Sequence, residues 1–203
     1  GSQTHPYENQ NMKIGVLALQ GDFAEHILML KKLGVETAEI RLPAQLADLD
    51  GLIIPGGEST TMGKLMVDFG LLEPLRDFGL AHAIWGTCAG AILLSKDARR
   101  DQPLLRLMDI TVERNAFGRQ VDSFEAALNV APLKQATGSD EPFHTFFIRA
   151  PIIESVSGKA EALISLPDGR IVAAQQGHLL ATSFHPELTD DTRFHEYFLS
   201  LVK

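Results

Sequence analysis

Short apolar runs alternate with amphipathic stretches through the first half of this chain, and that alternation limits its fold more than any other feature. Lys13–Leu19 (Lys-Ile-Gly-Val-Leu-Ala-Leu) suits a buried parallel strand. Asp22–Leu33 follows with Phe23, Ile27, Leu30 and Leu33 at helical spacing, and Gly34 stops it. Val35–Arg41 and Gly51–Ile54 read as the second and third strands, Thr60–Phe69 and Leu71–Phe78 as helices, and Ala81–Trp85 as a fourth strand. This order predicts an α/β fold of three layers, α/β/α, with a mostly parallel central sheet, flanking helices and ligands at the carboxyl ends of the strands.

The second half is richer in β-like runs: Asp109–Arg114, Gln120–Val130, Phe143–Arg149, Ala160–Leu166, Arg170–Gln176 and Leu179–Phe184. Thr192–Val202 has the pattern of a closing amphipathic helix, and Lys134–Pro142 reads as a surface loop. At 203 residues and 45% hydrophobic content, one domain over residues 12–203 is expected. Residues 1–11 read as a disordered leader, native or vector-derived, in which Gly1-Ser2 resembles a cloning scar and Met12 a native start. The leader is polar, contains Pro6 and lacks the basic start and apolar centre of a secretory signal.

A net charge of −8 argues against a surface built for nucleic-acid phosphates or anionic lipid. No run approaches the ~20 apolar residues of a membrane span. One cysteine excludes an intramolecular disulfide framework and a cysteine-rich zinc site, which fits a reducing cytoplasm. The carboxylates are scattered, so neither a metal nor a cofactor is expected.

That cysteine, Cys88, lies in Gly86-Thr-Cys-Ala-Gly90, between the fourth apolar run and the helix-compatible Ala91-Ile-Leu-Leu94. The arrangement reads as a strand-to-helix nucleophile elbow. Flanking glycines permit a sharp turn, and a helix start favours an exposed thiolate, the species that attacks carbonyl carbon. A buried structural cysteine is the alternative.

A nucleophile needs a base. Ser183-Phe-His-Pro-Glu-Leu188 ends an apolar run, and in extended backbone His185 and Glu187 would project to one side with Pro186 stiffening the link. Glu187 could then hold one histidine tautomer and stabilise the imidazolium; a solvated surface pair is the plain alternative. Pro55-Gly-Gly-Glu-Ser-Thr-Thr61 follows the third strand. Its glycines let backbone N–H groups approach a developing oxyanion, and Ser59 or Thr60 can cap the next helix. An ordinary strand-to-helix turn would look the same, and Gly63-Lys64-Leu65 rules out a Walker phosphate loop.

Together these segments resemble class I, triad-type glutamine amidotransferases. Gly15–Gly21, Pro55–Met62, Gly86–Gly90, Val112–Glu125, Phe147–Pro151 and Ser183–Thr189 are similar more narrowly to the glutaminase subunits of pyridoxal 5′-phosphate synthase. Val112–Glu125 is the most specific match, and the resemblance runs from about Met12 to the end. It implies that Cys88 attacks the side-chain amide of L-glutamine, forming a thioester and releasing ammonia, with His185 as base and Glu187 as its orienting acid. It places substrate contacts at Gly57, Glu58, Ser59, Arg114, Ile148 and Arg149, and an oxyanion hole at Gly57 and Ala89. Arginine suits a carboxylate ligand because its planar fork binds at two points.

The implied partner is a synthase subunit, a (β/α)8 barrel assembled as a dodecamer, which uses the ammonia to make pyridoxal 5′-phosphate. Gln20 carries over as an interface or oxyanion residue, or else as a polar cap on the first strand. Trp85 stands where the family often has a smaller aromatic, and Ala116 where serine is common; neither change removes a catalytic group. His5, His26, His82, His144, His178 and His195 match no catalytic position and read as structural or surface residues. Two other readings stay open: a cysteine hydrolase or peptidase on a similar fold, and a regulatory binding module without activity.

Overall fold

The structure is a computed structural model that describes residues 11–114 and 123–202. The leader up to residue 10, with His5, and the 115–122 portion of the Val112–Glu125 match, with Ala116, lie outside the described residues. The elements are β1 (Lys13–Leu17), α1 (Phe23–Lys32), β2 (Glu36–Ile40), β3 (Gly51–Ile54), α2 (Ser59–Asp68), α3 (Leu72–Ala81), β4 (Ala83–Thr87) and α4 (Ala89–Leu94). They continue with β5 (Ser95–Asp97), β6 (Met108–Glu113), β7 (Ser123–Leu128), α5 (Ala131–Thr137), β8 (Phe143–Ile148) and β9 (Ile152–Val156). The chain closes with β10 (Glu161–Ser165), β11 (Ile171–Gln176), β12 (Leu179–Thr182) and α6 (Arg193–Leu201).

Nine strands form a continuous sheet in the order β2-β1-β3-β4-β12-β11-β9-β6-β5, with β10 pairing beside β11, and β7 and β8 form a separate antiparallel pair. From β2 to β12 every pairing is parallel, and β11, β9 and β10 add antiparallel neighbours. The parallel half is buried on both faces because alternate side chains of each strand enter different cores. Leu17, Leu52, Ile54 and Ile84 pack with Met62, Met66 and Leu75 of α2 and α3. Ile14, Val16, Ile53 and Trp85 pack with Leu30 of α1 and with Phe194 and Phe198 of α6. Each large side chain so buried contributes roughly 1.5–3 kcal/mol of transfer free energy.

Several expected boundaries shift. Ala81 ends α3 rather than opening a strand, because Phe78 and Gly79 continue the buried helical face. Lys134–Thr137 belong to α5 instead of a loop; Pro132 fits the first turn of that helix, and Gly138 at φ 78° closes it. Strand β7 begins at Ser123 within the expected Gln120–Val130 run, whose first residues lie outside the described residues.

The site is positioned by β4 and β12. They run parallel with Thr87 opposite Thr182, so the residues that follow each strand emerge side by side at the same sheet edge. At the end of β4 the chain turns directly into α4. A Cβ on Gly90 would lie 2.0 Å from the Ile54 carbonyl oxygen, and one on Gly86 would lie 2.4 Å from the Gly90 carbonyl oxygen. The two glycines therefore permit close helix-to-strand packing. The sharp turn itself falls on Cys88, at φ 50° and ψ −107°.

Candidate active site

Cys88 occupies a left-handed backbone conformation that costs a non-glycine residue on the order of 1–3 kcal/mol. The surrounding bonds hold it there: its N–H donates to Thr182 O at 2.8 Å, and Ala91 N–H donates back to Cys88 O at 3.0 Å. The thiol is 6% exposed, contrary to the expectation of an exposed thiolate. Burial pushes the Cys88 thiol upward, and His185 offsets this only in part. The elbow thus presents Sγ to a shielded cavity.

His185 Nε2 lies 3.0 Å from Cys88 Sγ, and His185 Nδ1–H donates to Glu187 Oε1 at 2.5 Å. The local geometry differs from the extended strand expected of this segment. His185 N–H donates to Phe146 O, after which Pro186–Leu188 form a 3-10 turn that brings Glu187 back to the Nδ1 edge of the ring. Burial lowers the His185 pKa, but the charge and hydrogen bonds of Cys88 and Glu187 outweigh it and raise His185 to about 11. Burial also acts to raise Glu187; His26 and His185 overcome that and hold its carboxyl below the usual range. Cys88 and His185 titrate as one unit, and the form carrying a single shared proton can pass it from sulfur to nitrogen.

A cavity of about 450 Å³ opens above this row. Its walls include Gln20, Gly57, Glu58, Ser59, Cys88, Ala89, Arg114, Ile148, Arg149 and His185. All the expected site residues therefore meet in one place except Glu187, which is 5% exposed and lies behind His185. Arg149 enters from a strained backbone position at φ 45°. The Arg114 guanidinium pairs with Glu58 Oε1 at 3.1 Å.

Glu58, rather than Ser59 or Thr60, caps α2. Its carboxylate accepts the N–H groups of Thr60 and Thr61 and both threonine hydroxyls. Although burial opposes it, this bonding holds Glu58 at about 2. Gln20 Oε1 accepts Glu58 N–H at 2.8 Å, which ties the turn after β1 to the glycine-rich loop. Gly21, at φ 95°, makes that approach possible: a Cβ there would lie 1.9 Å from Gly56 O, which accepts Asp22 N–H at 3.0 Å.

Two buried histidines read from sequence as structural lie directly behind the row. His26 Nε2 is 3.5 Å from Glu187 Oε2, and His26 Nδ1 is 2.9 Å from His195 Nε2. The signal lay in their placement on the apolar faces of the first and last helices, but their pairing spans 169 residues of sequence. Asp22 approaches from the cavity side, 3.7 Å from His185 Nδ1. Ligand-capable atoms of Asp22, His185 and Glu187 lie within 4.8 Å of one another, but a cation there would displace the His185–Glu187 hydrogen bond.

Comparison with known proteins supplies the family. Residues 16–203 match the SNO glutamine amidotransferase family. "Pyridoxal 5′-phosphate synthase subunit PdxT" of Herpetosiphon aurantiacus is 60% identical, with 94% of this chain and 100% of that protein aligned. The protein of the same name from Dehalococcoides mccartyi is 56% identical over 95% of this chain and 98% of its own length. A crystal structure described as a glutamine amidotransferase superposes at a TM-score of 0.85 with 48% identity, covering 93% of this chain and 97% of that one. PurLQS from Thermotoga maritima shares the fold, at a TM-score of 0.67 and 15% identity over 96% of this chain and 100% of that one. The chain belongs to the SNO glutamine amidotransferase family.

Proposed function

We propose that Cys88, His185 and Glu187 are the catalytic triad of a glutaminase that supplies ammonia to pyridoxal 5′-phosphate synthesis. The observation that carries this reading is the unbroken row from Cys88 Sγ and His185, which line one cavity, to Glu187 behind them. Family membership makes the chain a glutamine amidotransferase, and its relatives at 52–60% identity are pyridoxal 5′-phosphate synthase subunits.

The chemistry follows from the geometry. Sγ attacks the side-chain amide carbon of glutamine as its proton passes to His185 Nε2. The carbonyl oxygen becomes an oxyanion, for which the N–H groups of Gly57 and Ala89 are the donors in this reading. The imidazolium, held by Glu187, returns the proton to the amide nitrogen. The C–N bond breaks, leaving ammonia and a γ-glutamyl thioester. Water then enters, His185 takes one of its protons, and collapse of the second tetrahedral intermediate releases glutamate and restores the thiol. Arg114 and Arg149 serve the substrate α-carboxylate, with Glu58, Ser59 and Ile148 shaping the rest of the subsite.

Ammonia acts as a nucleophile only while unprotonated, so its loss to water near neutral pH is best avoided by direct transfer to a partner. The partner in this reading is the synthase subunit, a dodecameric (β/α)8 barrel, with Gln20 near the contact. Residues 12–203 form the single amidotransferase domain, and a single cysteine suits work in the cytoplasm. Among the described residues no helix is long and apolar enough to cross a membrane.

Mixing the protein with its synthase subunit, glutamine and the sugar-phosphate substrates tests the reading. Release of glutamate together with pyridoxal 5′-phosphate is expected; a complex that releases no glutamate would overturn it.

A further inference from the structure

Glu187 uses one oxygen to hold His185. Its other oxygen, Oε2, is buried and makes no ordinary hydrogen bond among the described residues. A carboxylate oxygen left bare in a protein interior is costly, and His26 Nε2 lies 3.5 Å from it. The same nitrogen lies 3.3 Å from Thr87 Oγ1. His26 and His195 are both fully buried, and Trp85 meets each ring edge-on, with centroids at 5.6 and 4.8 Å. Trp85 is itself fixed by its indole N–H donating to Thr182 Oγ1 at 3.0 Å.

The proton positions follow from what each nitrogen faces. His26 Nε2 bonds to the Thr87 hydroxyl, which can donate or accept, so the carboxylate oxygen beside it decides the tautomer: an N–H on Nε2 faces that charge favourably and a lone pair does not. With the proton on Nε2, Nδ1 is an acceptor, and the ring nitrogen 2.9 Å away, His195 Nε2, donates to it. His195 Nδ1 is then a lone acceptor in the core, a smaller penalty than an unsupported carboxylate oxygen.

We propose that His26 is a positioning residue of the glutaminase: its Nε2–H supports the second oxygen of Glu187, and His195 fixes the His26 tautomer that makes this possible. The inference rests on the triad reading above. His26 remains neutral throughout, since burial drives both histidines to about 3. It therefore acts as an N–H dipole and takes no proton from the reaction. When sulfur attacks and His185 becomes imidazolium, Glu187 must keep its orientation and its charge, and the N–H dipole of His26 favours both.

The test compares His26→Leu, which removes the donor, with His26→Gln, which offers an amide N–H in its place. Glutaminase kinetics are measured with the synthase subunit present, and alkylation of Cys88 by iodoacetamide is followed against pH in the isolated protein. Expected for His26→Leu is a fall in kcat of roughly tenfold, the rate equivalent of one hydrogen bond, with KM for glutamine unchanged within about twofold. His26→Gln recovers most of that loss. In His26→Leu the alkylation profile moves to lower pH on its imidazolium limb, because a less well held Glu187 supports the imidazolium less.

His195→Phe frees the His26 tautomer while leaving Nε2 in place, and shows the same two changes to a smaller extent; it carries the test if His26→Leu does not fold. A kcat equal to wild type in the folded donor-less variant, or an unmoved alkylation profile with only a lower Tm, overturns the proposal. Failure of the triad reading looks different: wild type itself then releases no glutamate, while the alkylation experiment still reports on the Cys88–His185–Glu187 row.

Discussion

Cys88 Sγ and His185 Nε2 stand 3.0 Å apart across 97 residues of sequence, because the strands that precede them are parallel neighbours in register. The contact is thus a property of the sheet. Side chains at the ends of two buried strands are held more rigidly than loop side chains, which suits a proton transfer that tolerates little displacement.

Replacing His185 with Asn removes the base with little change in volume. Glutamine turnover should fall by at least about a hundredfold, the lower end of what a positioned general base contributes, while circular dichroism stays that of the wild type. Wild-type turnover in this variant would refute the assignment of the base.

The loop tie between Gln20 Oε1 and Glu58 N–H predicts a substrate effect. Gln20→Ala frees the glycine-rich loop and should raise KM for glutamine several-fold, with a change in Tm of at most a few degrees. Steady-state kinetics with the synthase subunit present decide it; an unaltered KM and kcat would mean that the loop holds its shape without the tie.

Gly90→Ala should destabilise the fold by about 3 kcal/mol or more, since its Cβ would meet a strand backbone atom that cannot rotate away. Gly34→Ala faces no atom within 4 Å and carries only the left-handed backbone penalty, about 1–2 kcal/mol. Urea denaturation of the two variants should rank them in that order. The reverse ranking would contradict the close packing of α4 on β3.

The buried histidine pair predicts acid sensitivity. His26 and His195 accept protons in the folded chain only near pH 3, whereas unfolded histidine does so near 6.5. Between those values the unfolded chain binds more protons, so stability falls as pH is lowered. His185, raised to about 11, contributes in the opposite sense, but its contribution is nearly complete by pH 6. Tm should therefore drop between pH 6 and 4.5, and the drop should be shallower in a His26→Gln, His195→Gln double variant. Equal slopes in the two proteins would show that other groups govern acid unfolding.

Much of this was legible along the chain. Strands β1, β3 and β12 are short apolar runs, and the elbow motif marks Cys88 at the end of another such run. Local signals mislead where they conflict with tertiary context. Pro132 and Gly138 bracket α5, but its polar middle obscured the helix. Strand β9 carries no sharp signal, because Glu154 and Ser155 are consecutive and both exposed, which breaks the alternation of a half-buried strand. The elbow glycines look like turn residues in the sequence, yet they serve helix packing while Cys88 takes the strained angle. Hardest to see was the histidine pair, since nothing local to His26 indicates that His195 and Glu187 will lie against it.

Trapping the acyl-enzyme shows whether Cys88 is the nucleophile. The complex with the synthase subunit is mixed with glutamine, quenched in acid within a single turnover, digested and examined by mass spectrometry. A γ-glutamyl thioester on the peptide carrying Cys88, absent from Cys88→Ala, is the predicted result. Glutamate release at the wild-type rate by Cys88→Ala, with no adduct on the Cys88 peptide of the wild type, would contradict the account.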